Sequence, residues 1–287
     1  MKPDGMSDKR QKFLYRLIVI AIIVGLIGSV LLIINDNFIL STQNRDINQK
    51  NNLKDILIKI QAEDQYFFVS LENDLAKIAV SLQSKGLDGR FAKEELENLT
   101  KKYPMVEDAF SISHDGVIQI SAKDKYRSFE GISVKNESFI NETFNHQVPM
   151  MSRVSGTFFS TPAVSVVEPV FSQKGEYIGL ICAIINPFEF ISNITAPAIK
   201  DTPYRVRVIE DSGALLFDSQ ENAKEENLNN ISQLKDRELS GLDDEVLKSD
   251  YGMGIFTSGN ASSGKVIHKA FWTTTGLKEA KWRIIIS

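Results

Sequence analysis

Cysteine and histidine are scarce in this chain. Its 287 residues include one cysteine, Cys182, and three histidines in unrelated segments. A single cysteine excludes an internal disulfide and a cysteine-based metal cluster. Because the histidines also lack metal-ligand spacing, the sequence predicts neither a metal site nor a cofactor. Cys182 lies in the apolar run 178–185, which predicts a small, buried hydrophobic side chain.

A surplus of basic charge is also missing. The chain has 33 Lys and Arg residues against 37 Asp and Glu residues, and its net charge is −4. Binding to nucleic acid requires clustered basic charge, so it is not expected here. Nucleophile elbows, phosphate-binding loops and zinc-ligand spacings are absent as well. These absences favour a binding protein that is not an enzyme, and they leave an extracytoplasmic hydrolase as a remote alternative.

What the sequence does contain is one long apolar run near its N-terminus. The run Leu17–Ile34 has no charged residue, and as a helix it approximately crosses a hydrocarbon core of about 30 Å. Basic residues precede it and none lies within residues 35–44, which places the N-terminus in the cytoplasm. The sequence predicts a cytoplasmic segment at 1–12, a transmembrane helix at 13–38 and an extracytoplasmic remainder. A cleaved signal peptide is the alternative, but its apolar region is shorter and ends in a small-residue cleavage site.

The next segment, residues 42–86, is predicted as one continuous stem helix. Apolar residues recur in it at a period close to 3.6, and no Pro or Gly interrupts it before Gly86. A coiled-coil stalk is one interpretation, and through it the sequence predicts a homodimer. Asp64 and Asn73 interrupt a strict coiled-coil seam, which favours packing of this helix against a sheet.

From about residue 106 the apolar pattern changes to the alternation of β-strands. The segments AFSISHDGVIQIS and RVRVIEDSGALLFDS each predict a strand, a turn with an acidic residue and glycine, and a second strand. A helical insert and three further strands follow each of them. The predicted fold class is therefore α+β: a long N-terminal membrane and stem helix, then two modules at 87–196 and 197–287, each with a central antiparallel sheet.

Further elements are predicted from local periodicity and turn residues. In the first module they are helices at 86–102, 136–145 and 188–194 and strands at 106–113, 117–121, 148–155, 163–171 and 177–185. Pro197 is expected to interrupt the helix near the boundary between the modules. In the second module they are strands at 204–210, 214–218, 255–257, 265–273 and 282–286 and a helix at 231–248, with a turn framed by Gly252 and Gly254.

At these residues the chain resembles the extracellular double Cache family, the PAS-like sensor domains of chemoreceptors and sensor histidine kinases. The segments that carry the resemblance include SISHDGVIQIS, GISVKNESFINETF, VSVVEPVFSQKGEYIGLICAIINPFEF and VRVIEDSGALLFDS. The resemblance covers about residues 42–287. It implies a stem that runs alongside two PAS-like modules, the first membrane-distal and the second membrane-proximal.

The resemblance also implies the function. The chain would be the extracytoplasmic ligand-sensing region of a membrane-anchored signal-transduction protein, and a small molecule would bind in its distal module. An anchored surface-binding or adhesion module without signalling output is the alternative.

The resemblance further implies which ligands fit. In relatives the distal pocket lies between the sheet and the loop-helix segment that faces it. An amino-acid-binding subset carries R-x-W-Y before that helix and an Asp in the last strand, which pair with the ligand carboxylate and ammonium. Here the corresponding run is Asn136-Glu137-Ser138-Phe139, and the Asp position falls near Ile184. A carboxylate or an uncharged metabolite is therefore expected rather than a free amino acid.

Arg153 is the most informative residue near the expected pocket. It is the only Lys or Arg between Lys135 and Lys174, and a partly buried Arg needs an anionic partner. That partner would be a ligand carboxylate or, within the chain, Glu168; exposure to solvent is the third possibility. The complete set of candidate ligand-binding residues is Tyr126, Arg127, Asn136, Phe139, Arg153, Phe158 and Ile184.

Overall fold

The computed structural model describes residues 8–156, 162–220, 243–258, 266–278 and 280–287, and for residues 8–42 it describes the backbone alone. Helix α1 runs from Asp8 to Leu82. The chain divides into two compact units, residues 1–52 and residues 53–287.

The predicted membrane span concerns the first of these units. Within the described part of the chain, no helix is both long and apolar enough to span a membrane. The span predicted at residues 13–38 falls where no side chain is described, so it stays a prediction.

The second unit contains two separate antiparallel sheets. Strands of the first sheet lie in the order β2-β1-β6-β5-β3, and β4 also pairs with β5. Their bounds are β1 Val106–Ser113, β2 Ile118–Ser121, β3 Met150–Met151, β4 Ser155–Gly156, β5 Pro162–Phe171 and β6 Tyr177–Ile185. Helix α2 at Gly89–Lys102 precedes this sheet, and a 3-10 helix at Asp124–Phe129 and helix α3 at Ser138–His146 lie between β2 and β3.

Strands of the second sheet lie in the order β8-β7-β11-β10-β9. Helix α4 at Pro187–Ile199 leads into it. The remaining bounds are β7 Val206–Glu210, β8 Leu215–Asp218, α5 Asp243–Lys248, β9 Tyr251–Ser258, β10 Val266–Leu277 and β11 Ala280–Ile286. We call the elements α2 to β6 the first module and the elements β7 to β11 the second module. Both sheets place their last strand between their first strand and their next-to-last strand, and the predicted α+β class with two antiparallel sheets is confirmed.

The uninterrupted apolar sequence of β6 follows from its central position. Its side chains alternate between two buried clusters: Ile181, Ala183 and Ile185 lie on the face that contacts α1 and α2. Leu180, Cys182 and Ile184 lie on the opposite face, under α3. Because both faces are covered, the strand has no polar position, and Cys182 is a buried hydrophobic side chain as predicted.

Helix α1 packs against both modules along its described length from residue 53. One apolar cluster joins it to strands of both sheets. At the centre of this cluster the ring of Phe68 lies 5.4 Å from that of Trp282 on β11 and 5.1 Å from that of Phe190 on α4. Asp64, which interrupts the predicted coiled-coil seam, is buried against Thr275 of β10. Residues 53–82 therefore pack as a helix on sheets.

Two expectations from the sequence were wrong in their details. Gly252 and Gly254 do not frame a turn, because β9 already begins at Tyr251 and runs through both. A Cβ atom at Gly252 would lie 2.2 Å from Cζ2 of Trp272, so the glycine marks a close approach within a strand. Pro197 lies inside α4, two residues before its last residue Ile199, and does not interrupt that helix. Of the helix predicted at 231–248, residues 231–242 lie outside the described residues.

Candidate functional site

The face of the first sheet that α3 covers is the candidate ligand-binding face. A buried apolar cluster fills the space between this sheet face and the segments that cross it. Its buried members are Phe110, Ile112, Ile118, Val134, Phe139, Ile140, Ala163, Val167, Leu180, Cys182 and Ile184. We call residues 123–146, which contain the 3-10 helix and α3, the lid.

The lid is held to the edge of the sheet by backbone hydrogen bonds. Residues 131–134 exchange such bonds with Gly116 and Ile118 in and beside β2. The hairpin between β1 and β2 turns at Gly116, whose φ is +79°. A Cβ atom at this position would lie 2.8 Å from Cβ of Lys135, so the glycine lets the lid approach the hairpin.

The 3-10 helix is anchored by a polar contact at its other end. The hydroxyl of Tyr126 donates a hydrogen bond to the carboxylate of Glu107, which also pairs with Lys125 at 2.5 Å. Burial raises the pKa of Glu107, but the bonds from Lys125 and Tyr126 together hold it below its usual value. The ring of Tyr126 stacks on that of Phe129 at 6.0 Å. Both rings pack against the apolar cluster under the lid.

A cavity of about 360 Å³ opens beside this cluster. One wall is α3, and the other is the chain from β3 to β4, which forms the edge of the first sheet. The lining residues are Ser138, Phe139, Glu142, Met150, Met151, Ser152, Arg153, Val154, Ser155 and Ala280. This volume is at the lower end of the range for small-molecule sites, and the walls combine apolar side chains with three hydroxyls.

A row of mainly polar side chains crosses the sheet towards the cavity. Asp108, Ile184 and Ser165 are register partners on β1, β6 and β5. Two hydrogen bonds join Ser165 to Ser152 in the cavity wall. The backbone N–H of Ser152 donates to the carbonyl of Ser165, and the backbone N–H of Ser165 donates to the hydroxyl of Ser152. The Oγ atoms of Ser165 and Ser155 are buried and have no hydrogen-bond partner. A buried hydroxyl beside a cavity has the capacity to bind a polar ligand atom or water.

Asp108 is the only acid in this row, and its carboxylate is engaged. The Ser121 hydroxyl donates to it at 2.6 Å and the Lys123 backbone N–H at 2.8 Å. Burial raises the pKa of Asp108, and these two hydrogen bonds oppose that shift. The carboxylate therefore fixes the loop after β2, and both of its oxygens already accept a bond.

The cavity wall between β3 and β4 is bonded to the second module. The backbone N–H of Val154 donates to Glu210 Oε1 at 2.8 Å, and Arg153 Nη2 lies 3.1 Å from Asp211 Oδ2. Lys278, in the turn between β10 and β11, donates to the carbonyl of Pro149 at 2.7 Å. A movement of this wall would therefore pull on two turns of the second module.

The predicted site residues fall in three places. Phe139 and Ile184 are buried under the lid, and Tyr126 packs against the same cluster; Phe139 and Arg153 line the cavity. Asn136 is exposed just before α3, and Arg127 is exposed beside Glu130 at 3.8 Å. Phe158 lies outside the described residues.

The internal partner proposed for Arg153 was wrong. Arg153 is exposed and pairs with Asp211, while Glu168 interacts with Lys278 and Glu72. Burial raises the pKa of Glu168 to about 7. The positive charge of Lys278 opposes this shift, and the negative charge of Glu72 adds to it. Asp211 is 58 positions from Arg153 and belongs to the second module, so no local pattern could connect the two.

Several residues of the cavity wall were not predicted. Ser138 and Glu142 are four positions apart on α3 and face the cavity together with Phe139, so the helical spacing could have indicated them. Ala280 comes from the second module, and only the tertiary structure brings it to the cavity.

Comparisons with known proteins agree with this architecture. Residues 67–187 match the family described as "HK/GC/Chemotaxis protein-like, sensor domain". No curated protein sequence matches the chain.

Solved structures with a similar fold cover most of the chain. An extracellular ligand-binding receptor from Desulfohalobium retbaense is 19% identical with a TM-score of 0.69, over 82% of this chain and 39% of that receptor. This chain therefore spans well under half of that receptor. The sensory domain of the Campylobacter jejuni chemoreceptor Tlp3 is 11% identical with a TM-score of 0.59, over 86% of this chain and 95% of that domain.

A third similar structure is the ligand-binding domain of the Pseudomonas aeruginosa amino acid chemoreceptor PctC. It is 13% identical with a TM-score of 0.53, over 83% of this chain and 98% of that domain. Residues 67–187 thus match a sensor-domain family, and the chain has the two-module fold of the extracellular double Cache sensor domains of chemoreceptors and histidine kinases.

Proposed function

We propose that this chain is the extracytoplasmic ligand-sensing region of a membrane-anchored signal-transduction protein of the chemoreceptor or sensor-kinase type. In this proposal residues 13–38 cross the membrane once, with the N-terminus in the cytoplasm. Residues 87–196 form the membrane-distal module, which binds a small metabolite, and residues 197–287 form the membrane-proximal module. The proposal includes a homodimer through the stem helix and assigns no catalytic activity to the chain.

The observation that carries the proposal is the bonding of the cavity wall to the second module. Val154 in that wall bonds to Glu210 on β7, and Glu210 is the register partner of Trp282 on β11. The Trp282 ring packs on Phe68 of α1. A continuous set of contacts thus leads from the cavity to the stem helix, which in turn precedes the described modules in the sequence.

The mechanism follows from this set of contacts. A ligand shifts an equilibrium between two arrangements only by its difference in affinity for them. A ligand held between α3 and the wall at 150–155 would favour the arrangement in which the two walls are closest. The bonds of Val154 to Glu210 at the end of β7 and of Arg153 to Asp211 in the β7–β8 turn would pass that preference to the second module and to α1.

The ligand we propose is a small carboxylate or an uncharged metabolite. One solved structure of Tlp3 contains isoleucine and the PctC structure contains GABA. In this chain Ile184 is buried in an apolar cluster, and the neighbouring Asp108 already accepts two hydrogen bonds. An ammonium group placed there would therefore lose its hydration without gaining a free counter-charge. Phe139 and the serine hydroxyls fit an apolar body with a polar end.

The proposal is tested first by a thermal-shift screen of the purified chain against metabolites. A ligand at 100 times its dissociation constant stabilises the native state by about 2.7 kcal/mol. Calorimetric titration of the strongest carboxylate hit then compares the wild type with Arg153→Ala. Loss of one charge-assisted hydrogen bond of roughly 1.5–3 kcal/mol weakens binding about ten- to a hundredfold.

Arg127→Ala is the matched control, because Arg127 is also an exposed arginine paired with an acid but does not line the cavity. Its affinity should equal that of the wild type. Equal affinity of Arg153→Ala and the wild type would remove Arg153 from the site, and tight binding of a free amino acid would contradict the proposed ligand class.

A further inference from the structure

The two faces of the second sheet are buried in different surroundings. Side chains alternate between the faces along each strand. Val208 on β7 and Trp282 on β11 belong to the apolar cluster shared with α1. Ile209, Ile285 and Val246 of α5 belong to a separate cluster on the other side of the sheet. We call this side the α5 face.

Two arginine side chains are buried on the α5 face. Val208 and Ile284 pack in the cluster shared with α1. Arg207 and Arg283 each lie one position earlier in the same strands, so both are on the α5 face. They are 7% and 6% exposed. Ile285, the register partner of Arg207, is two positions from Arg283, so the two arginines are diagonal neighbours on adjacent strands. Guanidinium groups that are buried in this way require anionic partners.

The same positions in the first module are apolar. Phe110 and Arg207 each lie six positions before the glycine of the following hairpin, and both hairpins have a bulge at the same step of the strand pair. Leu180 pairs with the residue two positions after Phe110, as Arg283 pairs with the residue two positions after Arg207. Phe110 and Leu180 are buried in the cluster under the lid. The face that forms the apolar ligand-binding face of the first module is therefore cationic in the second.

The charge of the neighbouring pair is inverted as well. Arg205 lies eight positions before its hairpin glycine, as Asp108 does in the first module. Arg205 Nε donates to Asp218 Oδ1 at 2.8 Å, where the first module has the bond between Ser121 and Asp108. Asp218 is therefore engaged by Arg205. Three arginines thus contribute positive charge to this side of the sheet, and the two acids paired with them, Asp218 and Asp250, balance only two of these charges.

The guanidinium of Arg283 is only partly bonded. Its Nε donates to the carbonyl of Ser249 at 3.2 Å, and its Nη2 lies 3.0 Å from Asp250 Oδ1. Its Nη1 is buried and has no hydrogen-bond partner. A guanidinium carries five N–H donors in a planar fork that matches the oxygens of a carboxylate or a phosphate. A buried charged donor without an acceptor destabilises the native state, so an oxyanion bound at Nη1 would remove that penalty.

We infer that the α5 face of the second module is a second ligand site, which binds the carboxylate or phosphate group of a small anion at Arg283. The anion would accept a hydrogen bond from Arg283 Nη1, and the positive charge of Arg207, its diagonal neighbour, would add to the attraction. Trp282, the residue before Arg283 on β11, packs on Phe68 of α1. An anion held by Arg283 would therefore act on a strand that contacts the stem helix, independently of the cavity in the first module.

The test is calorimetric titration of the purified chain with two probes, inorganic phosphate and succinate, at fixed low ionic strength. The wild type should bind at least one of them saturably. Arg283→Met keeps an unbranched apolar side chain and removes the guanidinium, so it should weaken binding about ten- to a hundredfold, the effect of one charge-assisted hydrogen bond. Arg90→Met is the matched control, because Arg90 is an exposed arginine paired with Glu94 on α2. Its affinity should equal that of the wild type.

A second variant tests the site without changing a buried residue. Asp250 is 58% exposed, and Asp250→Asn removes a negative charge beside Arg283. Binding of the probe should tighten about two- to fivefold, the effect of one exposed charge. Three outcomes would overturn the site: no saturable binding of either probe, equal affinity of Arg283→Met and the wild type, and unchanged or weaker binding by Asp250→Asn. Binding of the ligand found for the first module is measured in the same variants, so the second site can fail while the proposed sensor function stands.

Discussion

Arg153 and Asp211 form an ion pair between the two modules, with Arg153 Nη2 3.1 Å from Asp211 Oδ2. The Arg153 side chain is 62% exposed, and an exposed pair of this kind contributes less than about 1 kcal/mol to stability. The pair is therefore too weak to hold the modules together by itself. Its position matters more, because Arg153 is also in the wall of the cavity.

Asp211→Asn separates two roles of Arg153. If the guanidinium binds the ligand carboxylate, removal of its internal partner should tighten binding of a carboxylate ligand, while Arg153→Ala weakens it. The free energy of unfolding should change by less than about 1 kcal/mol in both variants. Calorimetric titration and urea denaturation measure the two effects. Weakening of binding by Asp211→Asn to the same degree as by Arg153→Ala would show that the ligand requires the intact pair.

The two hairpin glycines provide a matched test of how the lid packs. Gly116 has a φ of +79° and Gly213, at the corresponding hairpin of the second module, has a φ of +84°. Alanine at either position destabilises the native state by about 1 kcal/mol, because a residue with a Cβ atom disfavours the left-handed backbone. Only Gly116→Ala also places a Cβ atom 2.8 Å from Cβ of Lys135; at Gly213 the nearest atom is 3.7 Å away.

Gly116→Ala should therefore destabilise the chain by roughly 1–3 kcal/mol more than Gly213→Ala, the usual range for overpacking. Urea denaturation of both variants checks the difference. Hydrogen exchange of the Val134 amide, which donates to the Gly116 carbonyl, should be faster in Gly116→Ala. Equal destabilisation of the two variants would show that residues 131–135 move away from the added Cβ atom without lowering the free energy of unfolding.

Much of the fold could be predicted because its signals are local. The acid-glycine turns, the alternation in β1 and the apolar runs of β5 and β6 are properties of short segments, and these strands were predicted within one residue of their bounds. The start of β9 was missed because its glycines are required by Trp272, which lies twenty positions later on β10. Such a requirement is visible only once the two strands are paired.

The candidate site could be predicted only in part for the same reason. The first module and the lid were expected from sequence order, and Phe139 and Arg153 do line the cavity. The partner of Arg153 and the wall residue Ala280 come from the second module, and their contacts depend on how the modules pack. No periodicity within either segment carries that information.

The proposed topology predicts opposite labelling at two positions. Ser7→Cys lies before the predicted membrane helix, and Asp115→Cys replaces an exposed side chain at the β1–β2 hairpin. In intact cells a membrane-impermeant thiol reagent should label Asp115→Cys alone, because the basic flank of the apolar run stays in the cytoplasm. Lysis should make Ser7→Cys reactive as well. Labelling of Ser7→Cys in intact cells would reverse the proposed orientation.

Asp64 makes the packing of α1 on the second module depend on pH. It is 1% exposed, and Thr275 Oγ1 of β10 donates a hydrogen bond to its carboxylate. One turn earlier, Gln61 Nε2 donates to the Thr274 carbonyl at 2.8 Å. Burial raises the pKa of Asp64 to about 7, and the bond from Thr275 opposes the shift. In the unfolded chain the carboxyl ionises near pH 4, so between about pH 4 and 7 the native state holds a proton that the unfolded state has lost.

The contribution of Asp64 to stability should therefore fall as the pH rises from about 4 to about 7 and change no further above it, since this carboxyl binds fewer protons in the unfolded state than in the native state in this window. The carboxamide of Asp64→Asn still accepts the bond from Thr275 but does not ionise. The stability of this variant relative to the wild type should increase across the window by up to about 4 kcal/mol, from a shift of about three pH units at 1.36 kcal/mol each. Urea denaturation at a series of pH values measures it. Asp55→Asn, which removes an exposed carboxylate from the same helix, is the control. A constant difference for Asp64→Asn would mean that the carboxyl ionises in the native state at its ordinary pKa, and α1 would then pack on β10 independently of pH.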